Sequence, residues 1–376
     1  MRFDLSPDQQ LFRETTTRFL ADTVPPAELR ARRDDPAGFD PDEWRRGAEL
    51  GWTSLLVSEA SGGGSLSGDG LADLALVAHE FGAAAAPGPL LVANVVALAL
   101  DRAGGHRGVL DALLSGESVA TWCGADLRHG SDGPTPSLEA ELVGGDVVVR
   151  GTTRPVESAA QSTHLLVVAR TGDGLSQVLV PADAAGVRIA PLESIDLTRR
   201  FAEVTFDEVR LPVAAIVGAP GESADAVRHQ LDVALALTCA EAVGAMQSAF
   251  DLTRGWLDER YSFGRPLASY QALKHRVADM AMWLEASHAI TDAAVGAVAA
   301  GASTSAELVS AAKAYVGDRG GELVQESVQL HGGIGVTFEH DAHLYLRRHT
   351  LARTLYGRPA EHRRRLADLA RDGEAA

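Results

Sequence analysis

Two short stretches in the C-terminal half carry residue types suited to holding a phosphate-bearing ligand. The first is Glu259-Arg260-Tyr261-Ser262-Phe263-Gly264-Arg265-Pro266, followed by Gln271; the second is Gln329-Leu330-His331-Gly332-Gly333-Ile334-Gly335. An arginine beside a helix end can donate two hydrogen bonds to a pyrophosphate, which makes Arg260 the candidate anchor. Ser262 adds a hydroxyl, Phe263 an apolar shelf, and Gln271 an amide for a polar ligand edge. Gly332, Gly333 and Gly335 let backbone approach a ligand closely and take positive φ, and Gln329 sits one helical turn before them. Taken singly, the first stretch reads as a helix exit and the second as a turn. Together, between long helical patterns, they are suited to clamping a phosphate-bearing ligand. No Gly-x-Gly-x-x-Gly follows a predicted strand, which argues against a dinucleotide-binding sheet.

The elements that must carry this clamp fall into three stretches. Ser6-Pro7-Asp8-Gln9 has the form of a helix start, with Ser as cap and Gln three residues on. Helices are predicted at 41–50, 71–84, 90–103 and 107–115, so residues 1–116 read as a helical domain. Over 117–218 the period shortens. Leu138–Leu142 and Asp146–Arg150 flank Gly144-Gly145 as a hairpin, and short strands are expected at 164–168, 177–180, 187–189 and 202–206. That pattern specifies a small barrel or sandwich. Over 219–376 long helices return at 224–261, 270–300, 305–330, 341–356 and 360–371, a helical bundle. The class is α+β. The apolar helix 90–103 and the Ala-rich stretch 286–302 are assigned to the core.

Composition excludes other functions. A net charge of −17 opposes nucleic-acid binding. Lysine occurs only at 274 and 313, so arginine supplies nearly all the positive charge. Cys123 and Cys239 lie far apart and fit no metal spacing, so no metal is expected and a reducing, cytoplasmic setting is. The apolar run Pro89–Leu100 is too short to span a bilayer, and Met1-Arg2-Phe3-Asp4 does not read as a signal peptide.

The two clamp stretches, in this order and between these helical patterns, resemble the acyl-CoA dehydrogenase family over essentially the whole chain. The resemblance implies an N-terminal helical domain, a middle β-domain and a C-terminal four-helix bundle. It also implies FAD, with Arg260, Ser262, Phe263, Gln271, Gln329, Gly332 and Gly333 holding the pyrophosphate and adenosine end of a flavin bound mainly to a neighbouring subunit. An acyl-CoA substrate, a tetramer and electron-transfer flavoprotein as electron acceptor come with it.

The family's catalytic glutamate removes the α-proton of the thioester, and this chain departs from the pattern there. Aligning on Leu355-Tyr356-Gly357-Arg358 places Tyr356 or Gly357 at that position; the alternative position, on the first long C-terminal helix, reads Ala234. Tyrosine, with an ordinary pKa of about 10, is a poor base and glycine is none. Asp232, Glu241 and Glu361 are the possible stand-ins. Asp232 and Glu241 have the ordinary look of helix residues, and Glu361 that of a helix start. In the middle domain, Thr121-Trp122-Cys123-Gly124-Ala125-Asp126 and Arg154-Pro155-Val156-Glu157-Ser158 stand where the family faces its flavin. Pro155 replaces an aromatic wall there, and Glu157 a hydroxyl near N5.

A kept clamp beside a missing base resembles the non-catalytic partner in heteromeric α2β2 dehydrogenases of actinobacterial steroid side-chain catabolism. Two other readings stay open: a self-sufficient homotetramer with a displaced carboxylate, acting on an acyl-CoA or carrier-bound acyl group, and a helical scaffold without cofactor.

Overall fold

The computed structural model describes residues 5–124, 128–130, 133–172 and 174–375. The reading of Met1–Asp4, and of Ala125 and Asp126, falls outside the described residues.

Helix α1 (Pro7–Thr23) begins with the anticipated reciprocal cap: Ser6 Oγ accepts from the Gln9 amide and Gln9 Oε1 from that of Ser6. Helix α2 (Pro26–Ala31), absent from the sequence reading, is a six-residue turn opened by proline at its first position. Helices α3 (Pro41–Glu49), α4 (Gly70–Ala83), α5 (Leu90–Ala103) and α6 (Arg107–Leu114) follow as expected. Every residue of α5 from Leu90 to Leu100 is buried, which is why it lacks a polar face.

The strands are β1 (Ala120–Cys123), β2 (Arg128–Gly130), β3 (Gly133–Thr135), β4 (Leu138–Val143), β5 (Asp146–Glu157), β6 (His164–Thr171), β7 (Gly174–Pro181), β8 (Val187–Leu192), β9 (Phe201–Pro212) and β10 (Ile216–Val217). Apart from the small β2–β3 pair they form one sheet in the order β10-β7-β6-β4-β5-β9-β8, with β1 parallel to β6. The β4–β5 hairpin turns on Gly144 and Gly145, both at positive φ, as predicted. Ile216 from one edge and Val187 and Ile189 from the other pack into one core with Val149, Val167 and Val204, so the sheet curls around its own interior.

The C-terminal bundle comprises α7 (Ala224–Glu259), α8 (Gln271–Ala299), α9 (Ser305–His331), α10 (Ala342–Thr354) and α11 (Pro359–Ala375). The Ala-rich end of α8 buries one face only, through Ser287, Thr291, Val295 and Val298. Helix α7 is long and apolar enough to cross a membrane, but its apolar window is 89% buried inside the protein. It touches α4 backbone to backbone. A Cβ on Gly82 would lie 1.8 Å from the Glu241 carbonyl oxygen, and one on Gly244 would lie 1.9 Å from that of His79. Those two glycines fix where Glu241 stands.

Two helices end earlier than expected. α7 stops at Glu259 because Arg260 turns to extended backbone. α10 stops at Thr354 because Leu355 is extended and Tyr356 and Gly357 take φ of +56° and +106°. Tyr356 is therefore a loop residue.

Candidate functional site

The first clamp stretch is a small hairpin at the end of α7. Strands β11 (Tyr261–Ser262) and β12 (Arg265–Pro266) pair across Phe263 and Gly264, both at positive φ, as a two-residue turn of this hand requires. The Leu267 amide donates to the Arg260 carbonyl at 2.8 Å, and the Tyr270 hydroxyl to the Ser262 carbonyl at 2.7 Å. The Arg265 guanidinium lies 3.8 Å over the Tyr270 ring, and Gln271 opens α8 directly after it. The hairpin is thus tied to both helices it joins.

The second stretch ends α9 and lies against the first. Trp256 joins them: the Arg260 guanidinium is 5.7 Å from its ring centre, and the His331 ring lies 5.5 Å away on the other motif. His331 is buried and donates from Nδ1 to the Ser327 carbonyl at 2.7 Å. Gly332 and Gly333 have no heavy atom within 4 Å of a would-be Cβ, so their backbone is open to a ligand. Gly335 serves the fold instead, since its Cβ would lie 2.6 Å from the Val328 carbonyl oxygen.

Arg260, Phe263, Gln271, Gln329, Gly332 and Gly333 are all exposed and Ser262 is partly so. Phe263 is 97% exposed, and Tyr261, Ile334, Val336 and Phe338 leave further apolar area bare on the same two segments. The clamp residues lie on an open surface.

At the positions where a base is expected, the chain has none. Ala234 is fully buried in α7. Tyr356 is 3% exposed and stacks on Trp122 with ring centres 6.0 Å apart. Burial pushes its phenol far above the ordinary range, and the Glu157 carboxylate adds to the shift. Its loop is pinned: Lys313 Nζ donates to the carbonyls of Arg353 at 3.2 Å and Gly357 at 2.8 Å, and the His362 ring to that of Tyr356 at 3.0 Å. Burial brings the Lys313 ammonium down to about 8.

Two of the stand-ins lie elsewhere. Asp232 is buried and faces Arg365 on α11 at 3.3 Å; burial raises its carboxyl and Arg365 opposes the rise. Glu361 is exposed and accepts from the Arg358 amide at 2.7 Å, a cap for α11.

Glu241 corrects the sequence reading. It is no ordinary helix residue but the centre of a buried ionic lattice. Arg199, in the 193–200 loop before β9, donates to Glu157 at 2.5 Å and to Glu241 at 2.6 Å. Arg348 of α10 pairs with the same Glu241 oxygen and donates to Asp196 at 2.6 Å. Its remaining nitrogen donates to the Ala85 and Ala86 carbonyls at 3.0 and 2.8 Å and to Thr198 Oγ1. Thr198 in turn donates to Asp196 through its amide and its hydroxyl.

The charges divide unequally. Burial would raise Glu241, but Arg199 and Arg348 outweigh it and hold it low; Asp196 is likewise held low, chiefly by Arg348. At Glu157 burial outweighs Arg199 and leaves the carboxyl raised. One of its oxygens is buried with no hydrogen-bond partner among the described residues, as is Arg199 Nε. A proton on Glu157 leaves two guanidinium groups facing two carboxylates. Asp196, Arg199 and Arg348 were missed from sequence. The available signal was Glu241 itself, the one charge between Val233 and Met246, since a charge buried in such a run requires partners from distant segments.

Residues 6–107 match the acyl-CoA dehydrogenase N-terminal domain and residues 224–370 the acyl-CoA dehydrogenase C-terminal domain. The acyl-CoA dehydrogenase IpdE2 of Mycolicibacterium smegmatis is 31% identical over 363 residues, covering 96% of this chain and 98% of that one. Its namesake in Mycobacterium tuberculosis is 30% identical, covering 96% of each. The structure of a variant of the Tcur3481-Tcur3483 steroid ACAD superposes with a TM-score of 0.87 at 29% identity, covering 98% of this chain and 99% of that one. By its two matched domains and by relatives of this identity along nearly its whole length, the chain belongs to the acyl-CoA dehydrogenase family.

Proposed function

We propose that this chain is the non-catalytic subunit of a heteromeric, FAD-dependent acyl-CoA dehydrogenase, and that it completes the FAD site of a partner carrying the base. One juxtaposition supports this most: the clamp lies open on the surface, while the base positions hold Ala234, Tyr356 and Gly357, with both side chains buried. The reaction is α,β-desaturation of an acyl-CoA thioester, for which FAD, when bound, would supply the hydride acceptor. This chain would hold the cofactor's far end: Arg260 would meet the pyrophosphate, Ser262 and Gln329 would add polar contacts, Gln271 would supply an amide, Phe263 a shelf, and Gly332 and Gly333 bare backbone. The exposed guanidinium and open glycines fit such a ligand, and their lack of enclosure fits a site whose other wall is a second chain.

The displaced-base reading has less support, since Asp232 and Glu241 are ion-paired and Glu361 caps a helix. Kinship with a two-chain steroid ACAD favours a steroid-derived acyl group. The reading includes electron-transfer flavoprotein as acceptor, the cytoplasm as location, and domains at 1–116, 117–218 and 219–376. The test is the visible spectrum of the chain purified alone and co-purified with a catalytic acyl-CoA dehydrogenase chain. A colourless chain and a yellow, active complex are expected. A yellow chain alone, bleached by an acyl-CoA, overturns the proposal.

A further inference from the structure

We infer that the lattice Glu157–Arg199–Glu241–Arg348–Asp196, together with Tyr356, closes this chain's own flavin cleft and takes over the structural part a cofactor would play there. The inference rests on the family alignment of Glu157 and Tyr356 used above, and it goes beyond the absence of a base. Glu157 stands where the family's middle domain meets the flavin ring, and Tyr356 where its base stands. In this chain the two share one buried spot: Tyr356 stacks on Trp122, and the hydroxyl of the adjacent Thr121 donates to the Glu157 carbonyl at 2.5 Å.

That spot is filled. Trp122, Glu157, Arg199, Glu241, Arg348 and Tyr356 are each at most 7% exposed. The filling is polar and built, with five ionisable side chains drawn from β5, the 193–200 loop, α7 and α10, and two backbone carbonyls from the segment after α4. It therefore fastens the helical N-terminus, the central sheet and the bundle to one another. The residues present do not fit a flavin ring. To admit one, Tyr356 would have to leave Trp122, against the hold of Lys313 and His362 on its loop, and Glu157 would set a carboxyl against the ring.

The test uses the full chain without partner and FAD itself as probe, read by thermal unfolding and by retained flavin absorbance. Arg260→Ala separates binding at the surface clamp from binding in the interior. The expected result is no FAD-induced rise in midpoint and no retained flavin in Arg260→Ala, and a wild type whose response, if any, vanishes in that variant. Glu241→Gln, which keeps the shape of the side chain, should lower the midpoint by several degrees, with no recovery in FAD. Retained flavin in Arg260→Ala, or a Glu241→Gln chain as stable as wild type, overturns the inference. Neither result depends on the partner, so a colourless co-purified complex would refute the subunit assignment and leave the closed cleft standing.

Discussion

Replacing Arg348 with Met keeps the length of a side chain that is 1% exposed and removes every polar contact it makes. Asp196 loses the guanidinium that donates to it, Glu241 keeps Arg199 alone, and the Ala85 and Ala86 carbonyls lose a donor. Breaking a buried ion pair by removing one partner costs about 3–5 kcal/mol, because the other charge stays buried. The two orphaned carbonyls would add about 1 kcal/mol each, but groups in one network do not sum. About 5 kcal/mol is the working figure, a large share of the roughly 5–15 kcal/mol that holds a domain folded. Arg348→Lys keeps the charge but not the planar fork, and should lose about 2 kcal/mol. Urea unfolding at neutral pH measures both as a lower midpoint at unchanged slope. Pairing Arg348→Met with Glu241→Gln should give a coupling of about 1.5–3 kcal/mol. A loss below about 1 kcal/mol in Arg348→Met, the size of a surface pair, would mean that water reaches the lattice and would refute the reasoning.

Three further outcomes follow from the same geometry. Glu157 is raised above its unfolded value, so its contribution is complete below about pH 4 and is lost as pH rises through its folded value; Glu241 and Asp196, held low, lose theirs as pH falls through their folded values. Glu157→Gln should therefore flatten the decline of the urea midpoint above about pH 4 and leave the acid limb in place. At the clamp, Arg260→Ala should lower the flavin content of the co-purified complex about tenfold, the effect of roughly 1.4 kcal/mol, and Gly333→Val should do at least as much by covering the open backbone; absorbance against protein concentration reads both. Asp232→Asn and Glu361→Gln should leave turnover by the complex within about twofold, and loss of turnover in either would restore the displaced-base reading.

Local rules made most of the fold legible in sequence. The Ser6–Gln9 cap, the Gly144-Gly145 hairpin and the even burial of α5 all follow from residue types within a few positions of each other. The helix end before Tyr356 was not legible, because contacts from other helices hold that backbone turn. Lys313 and His362 hold the Tyr356–Gly357 loop, and a Cβ on Gly357 would sit 2.9 Å from the His362 ring. The clamp residues could be named because each is a polar or glycine exception at the edge of a helix. The lattice could not be named, because Asp196, Arg199 and Arg348 look like surface charges in sequence, and only the close crossing of α4 and α7 buries the glutamate that gathers two of them.

Why the cleft is filled with charge needs an answer, since apolar residues of similar volume usually stabilise a core as well as a buried ion pair does, or better. Stability alone does not account for the lattice; geometry does. Glu241 and Glu259 are on one continuous helix, eighteen residues apart, or about 27 Å by helical rise. The clamp hairpin begins at the far end of that helix. A cleft emptied of its flavin and left to collapse would let α7 shift against the sheet, and the hairpin would shift with it. Guanidinium forks have fixed directions and lengths, whereas an apolar filling tolerates sliding. Arg199 sets α7 against β5, and Arg348 sets α10 against the 193–200 loop and the end of α4. On this argument the lattice is the internal counterpart of the clamp. Loosening it should weaken the grip on a neighbour's cofactor, although no lattice residue lies on the clamp surface. Arg348→Lys, folded but less tightly fastened, should show this as faster loss of flavin from the complex on dilution, while Arg260 and the glycines stay intact. An unchanged release rate would mean that α7 holds its place without the lattice.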